Sequence, residues 1–194
     1  MSANCNTTSL RDVLRYWPFA FSLLTMACAS TPRLFEFHFT QESFSSSDGK
    51  LRYKLPLGWI NATPDAPSAD NLIWAVRSDY AAMLVVREVT IDDITRRGIN
   101  KEGLGRLGEL MLALASSENG VRIVKQPSGS VVGGIPACTY EYTAGHPGSR
   151  VHVVLVDTGS RVYEVSARTA DTMGEEASKG IIALQEAFVG QVSW

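Results

Sequence analysis

The segment Leu155-Val156-Asp157-Thr158-Gly159-Ser160 is the stretch of this chain that most invites hydrolytic chemistry. Two apolar residues ahead of Asp-Thr-Gly present a carboxylate on a turn. Two such carboxylates, one from each of two copies, can share a proton and activate water. Phe188-Val189-Gly190 offers a downstream apolar-apolar-Gly partner, but the sequence between reads mostly as one helix, where that chemistry needs strands and a flap. Asp and Gly are also ordinary hairpin-turn residues, and the turn is the preferred reading. A secreted aspartic-type hydrolase using Asp157 stands as the alternative.

Gly103-Leu104-Gly105-Arg106-Leu107-Gly108 matches G-x-G-x-x-G letter for letter. That pattern holds a pyrophosphate only when a buried strand leads into it. The preceding Arg96-Arg97-Gly98-Ile99-Asn100-Lys101-Glu102 is no such strand, and the next strand, ending at Lys125, lacks the acidic residue that would hold a ribose. The glycines are read instead as letting a helix pack close to a sheet. His38, His146 and His152 show no metal-ligand spacing. His152 alternates between Val151 and Val153, as a partly buried structural histidine would. Cys138 lies in the alternating run Cys138-Thr139-Tyr140-Glu141-Tyr142 and reads as a small buried hydrophobe. No G-x-S-x-G elbow, H-E-x-x-H pair or P-loop is present. The pairs Arg96-Arg97 and Glu175-Glu176 read as solvated surface. No catalytic, cofactor-binding or metal-ligating residue is assigned.

Cys28 carries a different chemistry. Arg11 and Arg15 precede an uncharged, Phe- and Leu-rich stretch from Tyr16 to Ala27, the layout of an export signal. The stretch is shorter than the roughly 20 apolar residues of a membrane span, and Pro18 lies inside it. It ends Leu23-Leu24-Thr25-Met26-Ala27-Cys28, which resembles a bacterial lipobox, where a small residue precedes a Cys that is acylated after cleavage. Ala27 and Cys28 fit; Thr25 and Met26 depart from the usual Leu and small residue. Ala27-Cys28-Ala29 also fits an ordinary A-x-A cleavage site, which would release a soluble protein beginning at Ser30. With Cys5 removed and Cys28 acylated, Cys138 would have no disulfide partner in the chain.

The 194 residues are 45% hydrophobic and 20% charged, with a formal net charge of −2. These values exclude a disordered chain or a multi-pass membrane protein. The absence of a basic run argues against nucleic acid as a partner. Residues 1–27 are assigned as signal peptide, 28–49 as a Ser/Thr-rich tether with a Phe-rich patch, and 50–194 as a single domain. Strands are predicted at 51–55, 72–77, 81–89, 121–125, 137–143, 150–157 and 161–168. One helix is predicted from Asn100, a good N-cap, to about Ser116, with Leu104, Leu107, Met111 and Leu114 as its apolar stripe. A second helix is predicted over 174–189, with Ala177, Ile181, Leu184 and Phe188 as its stripe. Met83 and Val85 point one way and Leu84 and Val86 the other, which predicts a sheet covered on both faces. Sequential strands with segregated helices argue α+β.

Pro56-x-Gly58-Trp59 after a strand, Val132-Gly133-Gly134-Ile135-Pro136-Ala137 before one, Val162-Tyr163 after a turn, and a closing helix ending in Val192-Ser193-Trp194 resemble the PsbP-like superfamily. The family includes the photosystem II extrinsic protein PsbP, Ran-binding Mog proteins and bacterial envelope lipoproteins of the DcrB type. The resemblance spans about residues 50 to 194. It implies an antiparallel sheet between helices, an α/β/α sandwich, serving as a binding or assembly module with no shared catalytic residue set. The expectation is a non-enzymatic envelope lipoprotein anchored through Cys28 on the periplasmic or outer face, with an envelope protein partner and no cofactor. A small-ligand carrier using the surface under the Pro64-to-Pro67 loop is a further alternative.

Overall fold

Alternating apolar residues and a few glycines with positive φ determine most of the architecture. The computed structural model describes residues 35–118, 120–145 and 148–194. Residues 1–27, expected to be a signal peptide, together with Cys28 and His146, lie outside these residues. In chain order the elements are β1 (Phe44–Ser45), β2 (Arg52–Tyr53), β3 (Trp59–Asn61), β4 (Asn71–Arg77), β5 (Ala82–Val89), α1 (Asp93–Glu102), α2 (Gly105–Ser116), β6 (Arg122–Val132), β7 (Ile135–Ala144), β8 (Ser149–Asp157), β9 (Val162–Thr169) and α3 (Glu175–Val189). β1 and β2 form a small hairpin. The other seven strands form one antiparallel sheet in the order β3-β4-β5-β9-β8-β7-β6.

Period-2 alternation divides each strand between two cores. Ile73, Ala75, Leu84, Val86, Val154, Val156, Val165 and Ala167 face α3, where Ile181, Leu184, Phe188 and Val189 complete one core. Cys138, Tyr140, Val153, Leu155 and Val162 face the other way and meet Ile99 of α1, Leu107 and Leu112 of α2, and Leu104 between the two helices. The result is the α/β/α arrangement expected. At the β6–β7 hairpin, Gly133 and Gly134 take φ of +59° and +81°, the left-handed pair that a two-residue type I′ turn requires.

The structure corrects the predicted elements in four places. The single helix expected from Asn100 is two helices, because Gly103, at φ +78°, turns the chain between them. The first is capped by Asp92, whose side chain accepts from the Thr95 amide at 2.7 Å. Restarting at Gly105 rotates the stripe, so Leu112 is buried at 2% exposure while Leu114 lies outside at 68%. The strand predicted over 51–55 is a two-residue ladder, although its alternation holds, with Leu51, Tyr53 and Leu55 buried. β3 was not foreseen, and β6 runs seven residues past Lys125, through Pro127, which a bulged edge strand tolerates. Finally, residues 35–49 are packed onto the domain rather than free: Phe39 bridges Pro56, and the Ser47 amide donates to Leu72 O at 2.8 Å.

Candidate binding face

Helix α2 packs on β6 and β7, at one end of the sheet. On the same face, no helix of the described residues lies over most of β4, β5 and β9. Register places the side chains there in rows. Trp74, Val85 and Ser166 form one row; Val76, Met83, Arg168, Val151 and Tyr142 form the next. Trp74, Met83, Val85 and Tyr142 are half-buried and Arg168 is exposed. Among the described residues, the double-sided coverage expected from Met83 and Val85 therefore holds only over the β6–β8 half of the sheet.

Two polar features order this surface. Arg87 Nη2 lies 2.7 Å from Glu164 Oε2, and the Glu164 side chain is only 8% exposed. Burial opposes the Arg87 charge, but the hydrogen bond and charge of Glu164 outweigh it and raise the guanidinium pKa. Arg168, by contrast, forms no ion pair among the described residues. The Tyr142 phenol next to it is pushed above its usual pKa, mainly by burial and then by Glu164. A cavity of about 250 Å³ opens here, lined in part by Met83, Val85, Arg87, Tyr142, Glu164 and Arg168. Aromatic, Met and Arg side chains on such a surface are what protein interfaces favour.

The residues singled out in the sequence lie elsewhere. Asp157 ends β8 and its Oδ1 accepts from the Gly159 amide at 2.9 Å, the turn role expected. It also lies 2.8 Å from Arg96 Nη1, with both side chains at most 20% exposed. Arg96 is thus not solvated surface; it ties α1 to the β8–β9 turn. Phe188 and Val189 are helical and fully buried. In the G-x-G-x-x-G stretch a helix, not a strand, leads into Gly103. Gly108 makes the expected close approach: a Cβ there would lie 2.8 Å from Cys138 Sγ and 3.0 Å from Pro127 Cβ. Cys138 is fully buried, and burial pushes its thiol pKa up.

His152 is 5% exposed and its Nδ1 lies 2.7 Å from Gln185 Oε1. Gln185 Nε2 donates to His152 O at 3.2 Å and Val165 O at 2.7 Å, so one fully buried amide pins α3 to two strands. Glu175 and Glu176 are exposed and pair with Lys179. Beneath the loop that opens at Thr63 lies Tyr53, its hydroxyl 3.0 Å from Asn61 Oδ1 and 3.1 Å from Thr63 Oγ1. Among the described residues, no group of three His, Cys, Asp or Glu side chains is placed to hold a metal, and no helix is long and apolar enough to cross a membrane. Sequence reading missed the open face. Its only signal was the apolar Trp74-x-Val76 and Met83-x-Val85 alternation, which does not say what lies over it.

No family model matches the chain, and no curated protein matches it in sequence. Solved structures do match. The solution structure of cyanobacterial PsbP (CyanoP) from Synechocystis sp. PCC 6803 aligns at a TM-score of 0.52 and 13% identity, covering 86% of this chain and 98% of that one. The Saccharomyces cerevisiae Ran-binding protein Mog1p aligns at 0.54 and 15%, covering 81% and 96%. LpqN of Mycobacterium tuberculosis aligns at 0.45 and 14%, too loosely to bear on the argument. The chain has the PsbP/Mog fold.

Proposed function

We propose that this chain is a non-enzymatic binding or assembly module of the bacterial envelope, in the manner of DcrB-type lipoproteins, held to a membrane by lipid on Cys28. The open half-face on β4, β5 and β9 carries the reading. It offers Trp74, Met83, Val85 and Tyr142 as apolar anchors and Arg168 as a cation in want of a carboxylate. The occupant it fits is a protein segment with an apolar centre and an acidic residue. Mog1p, described as Ran-binding, supplies a precedent for protein binding on this fold. The anchor is supported by the basic-then-apolar N-terminus and the Ala27-Cys28 boundary.

The experiment is site-specific photo-cross-linking in intact cells, with a photoreactive residue at Met83 and, as control, at Leu114 on α2. One envelope protein captured from Met83, absent from Leu114 and lost in Arg168→Glu, is the expected result. Equal capture from both positions would remove the basis for the face. Capture of a small molecule in place of a protein would favour the carrier.

A further inference from the structure

The strip of chain from Lys50 to Leu57 separates charge from core with a period of two. Leu51, Tyr53 and Leu55 are 1%, 1% and 2% exposed, while Lys50, Arg52 and Lys54 point outward. Lys50 pairs with Asp48 at 3.2 Å; Arg52 and Lys54 form no ion pair among the described residues. The row ends at Leu57, 61% exposed.

Against this strip runs the first described segment. The Thr40 amide donates to Leu55 O at 2.8 Å and the Leu57 amide to His38 O at 2.9 Å. Phe35, 49% exposed, stacks on Phe37 with centroids 5.9 Å apart. Phe37, Leu57, Trp59, Ile181 and Leu184 line a groove of about 400 Å³. A cationic row and an exposed apolar rim thus meet where the chain leads back toward Cys28. Glu36, Glu42 and Asp48 are the acidic residues of these two segments, and Asp48 is already engaged by Lys50, Ser46 and the Lys50 amide.

Residues Ala29 to Leu34 alone separate Cys28 from Phe35, and Arg33 adds a positive charge among them. Fully extended, those seven steps reach roughly 25 Å. A folded unit of this size has a radius of gyration of about 15 Å, and so a diameter of roughly 40 Å. A leash shorter than the body it holds keeps the attached face toward the bilayer. We propose that Lys50, Arg52 and Lys54, with Phe35 and Leu57, form a docking face that lies on an anionic lipid surface. The leash argument rests on acylation at Cys28; the charge and the apolar rim do not. Because this face belongs to the α3 side of the sheet, docking leaves the open face on β4, β5 and β9 directed away from lipid.

The test uses the mature protein as isolated from cells, its N-terminus and acylation read by mass spectrometry. An environment-sensitive fluorophore is placed through Leu57→Cys, with Leu114→Cys as control; buried Cys138 does not compete. The protein is mixed with vesicles of phosphatidylcholine, with or without phosphatidylglycerol. The Leu57 probe is expected to enter an apolar environment on phosphatidylglycerol vesicles and to leave it at high salt, while the Leu114 probe stays in water. Each basic residue at an anionic surface contributes about fivefold to partitioning, so Arg52→Gln with Lys54→Gln should lower the docked-to-free ratio roughly 30-fold. If acylated protein keeps its Leu57 probe in water, or if Leu114 enters lipid equally, docking is overturned while the anchor stands. If unacylated protein still docks through Leu57, the face stands and the anchor reading falls.

Discussion

Replacing Gln185 with Leu removes the amide that fastens α3 to the sheet while nearly keeping its volume. Because Nε2 donates to two carbonyls, Oε1 must face His152, so Nδ1 carries the proton. Losing Oε1 leaves that buried N–H unpaired, at about 1–3 kcal/mol, and the two carbonyl bonds are lost at about 1 kcal/mol each. Apolar burial of Leu returns part of this, for a net loss of about 2 kcal/mol. In a domain of this size that lowers Tm by roughly 4–8 °C. The variant should also respond differently to acid. Burial holds the His152 pKa below its usual value, against upward pulls from the Gln185 hydrogen bond, Glu141 and Glu186, with Lys125 adding slightly to the lowering. Below the unfolded value of about 6.5 the unfolded chain therefore binds more protons than the folded one. This contribution to stability is complete above about pH 6.5 and is lost as pH falls below it toward the folded pKa. Without Oε1 the imidazolium is still less welcome, so the acid loss should steepen in Gln185→Leu and flatten in His152→Gln. Thermal melts by circular dichroism at pH 7.5 and 5 measure both. A Gln185→Leu Tm within about 1 °C of wild type, or a His152→Gln variant with the wild-type pH slope, would refute the reasoning.

Two further outcomes follow from other contacts and a third from the sequence at Cys28. Gly108→Ala gains about 1 kcal/mol of helix propensity but drives its Cβ to 2.8 Å from Cys138 Sγ, costing about 1–3 kcal/mol. Urea denaturation should show a net loss near 1 kcal/mol, partly relieved by Cys138→Ala; additive effects of the two changes would show that the crowding is unimportant. Asp157→Asn keeps the turn acceptor and loses the Arg96 ion pair, so stability should fall by up to about 1 kcal/mol, with peptide hydrolysis absent from wild type and variant between pH 4 and 7. Inhibitor-sensitive cleavage lost in the variant would restore the hydrolase alternative. Cys28→Ala should abolish fatty-acid labelling and release the protein from membranes, whereas a wild-type mature chain beginning at Ser30 without lipid would contradict the anchor.

What could be read from the chain was local. Val151 to Val156 announces a strand by its apolar, β-branched run and Tyr163 to Ala167 by its alternation, both short-range signals, and Gly133-Gly134 announces its turn because only glycine takes positive φ twice without strain. The split between α1 and α2 was hidden because Asn100 is as good a cap as Asp92, and the choice falls to Gly103. The Arg96–Asp157 pair joins residues 61 apart in sequence, a separation no motif spans. The open face was illegible for a geometric reason. Seven strands at about 4.8 Å spacing are roughly 30 Å wide, while a helix with its side chains covers about 10 Å. One helix alone cannot roof either side. On the α3 side the deficit is met by residues 35–57, whose Phe37, Phe39 and Phe44 pack against the core. On the other side the described residues supply α1 and α2, and α2 sits over β6 and β7. Among the described residues Met83, Val85 and Trp74 have no helix over them, because residues 35–57 pack on the opposite face. The surface proposed for lipid and the surface proposed for a partner are thus two consequences of one asymmetry in how this sheet is roofed.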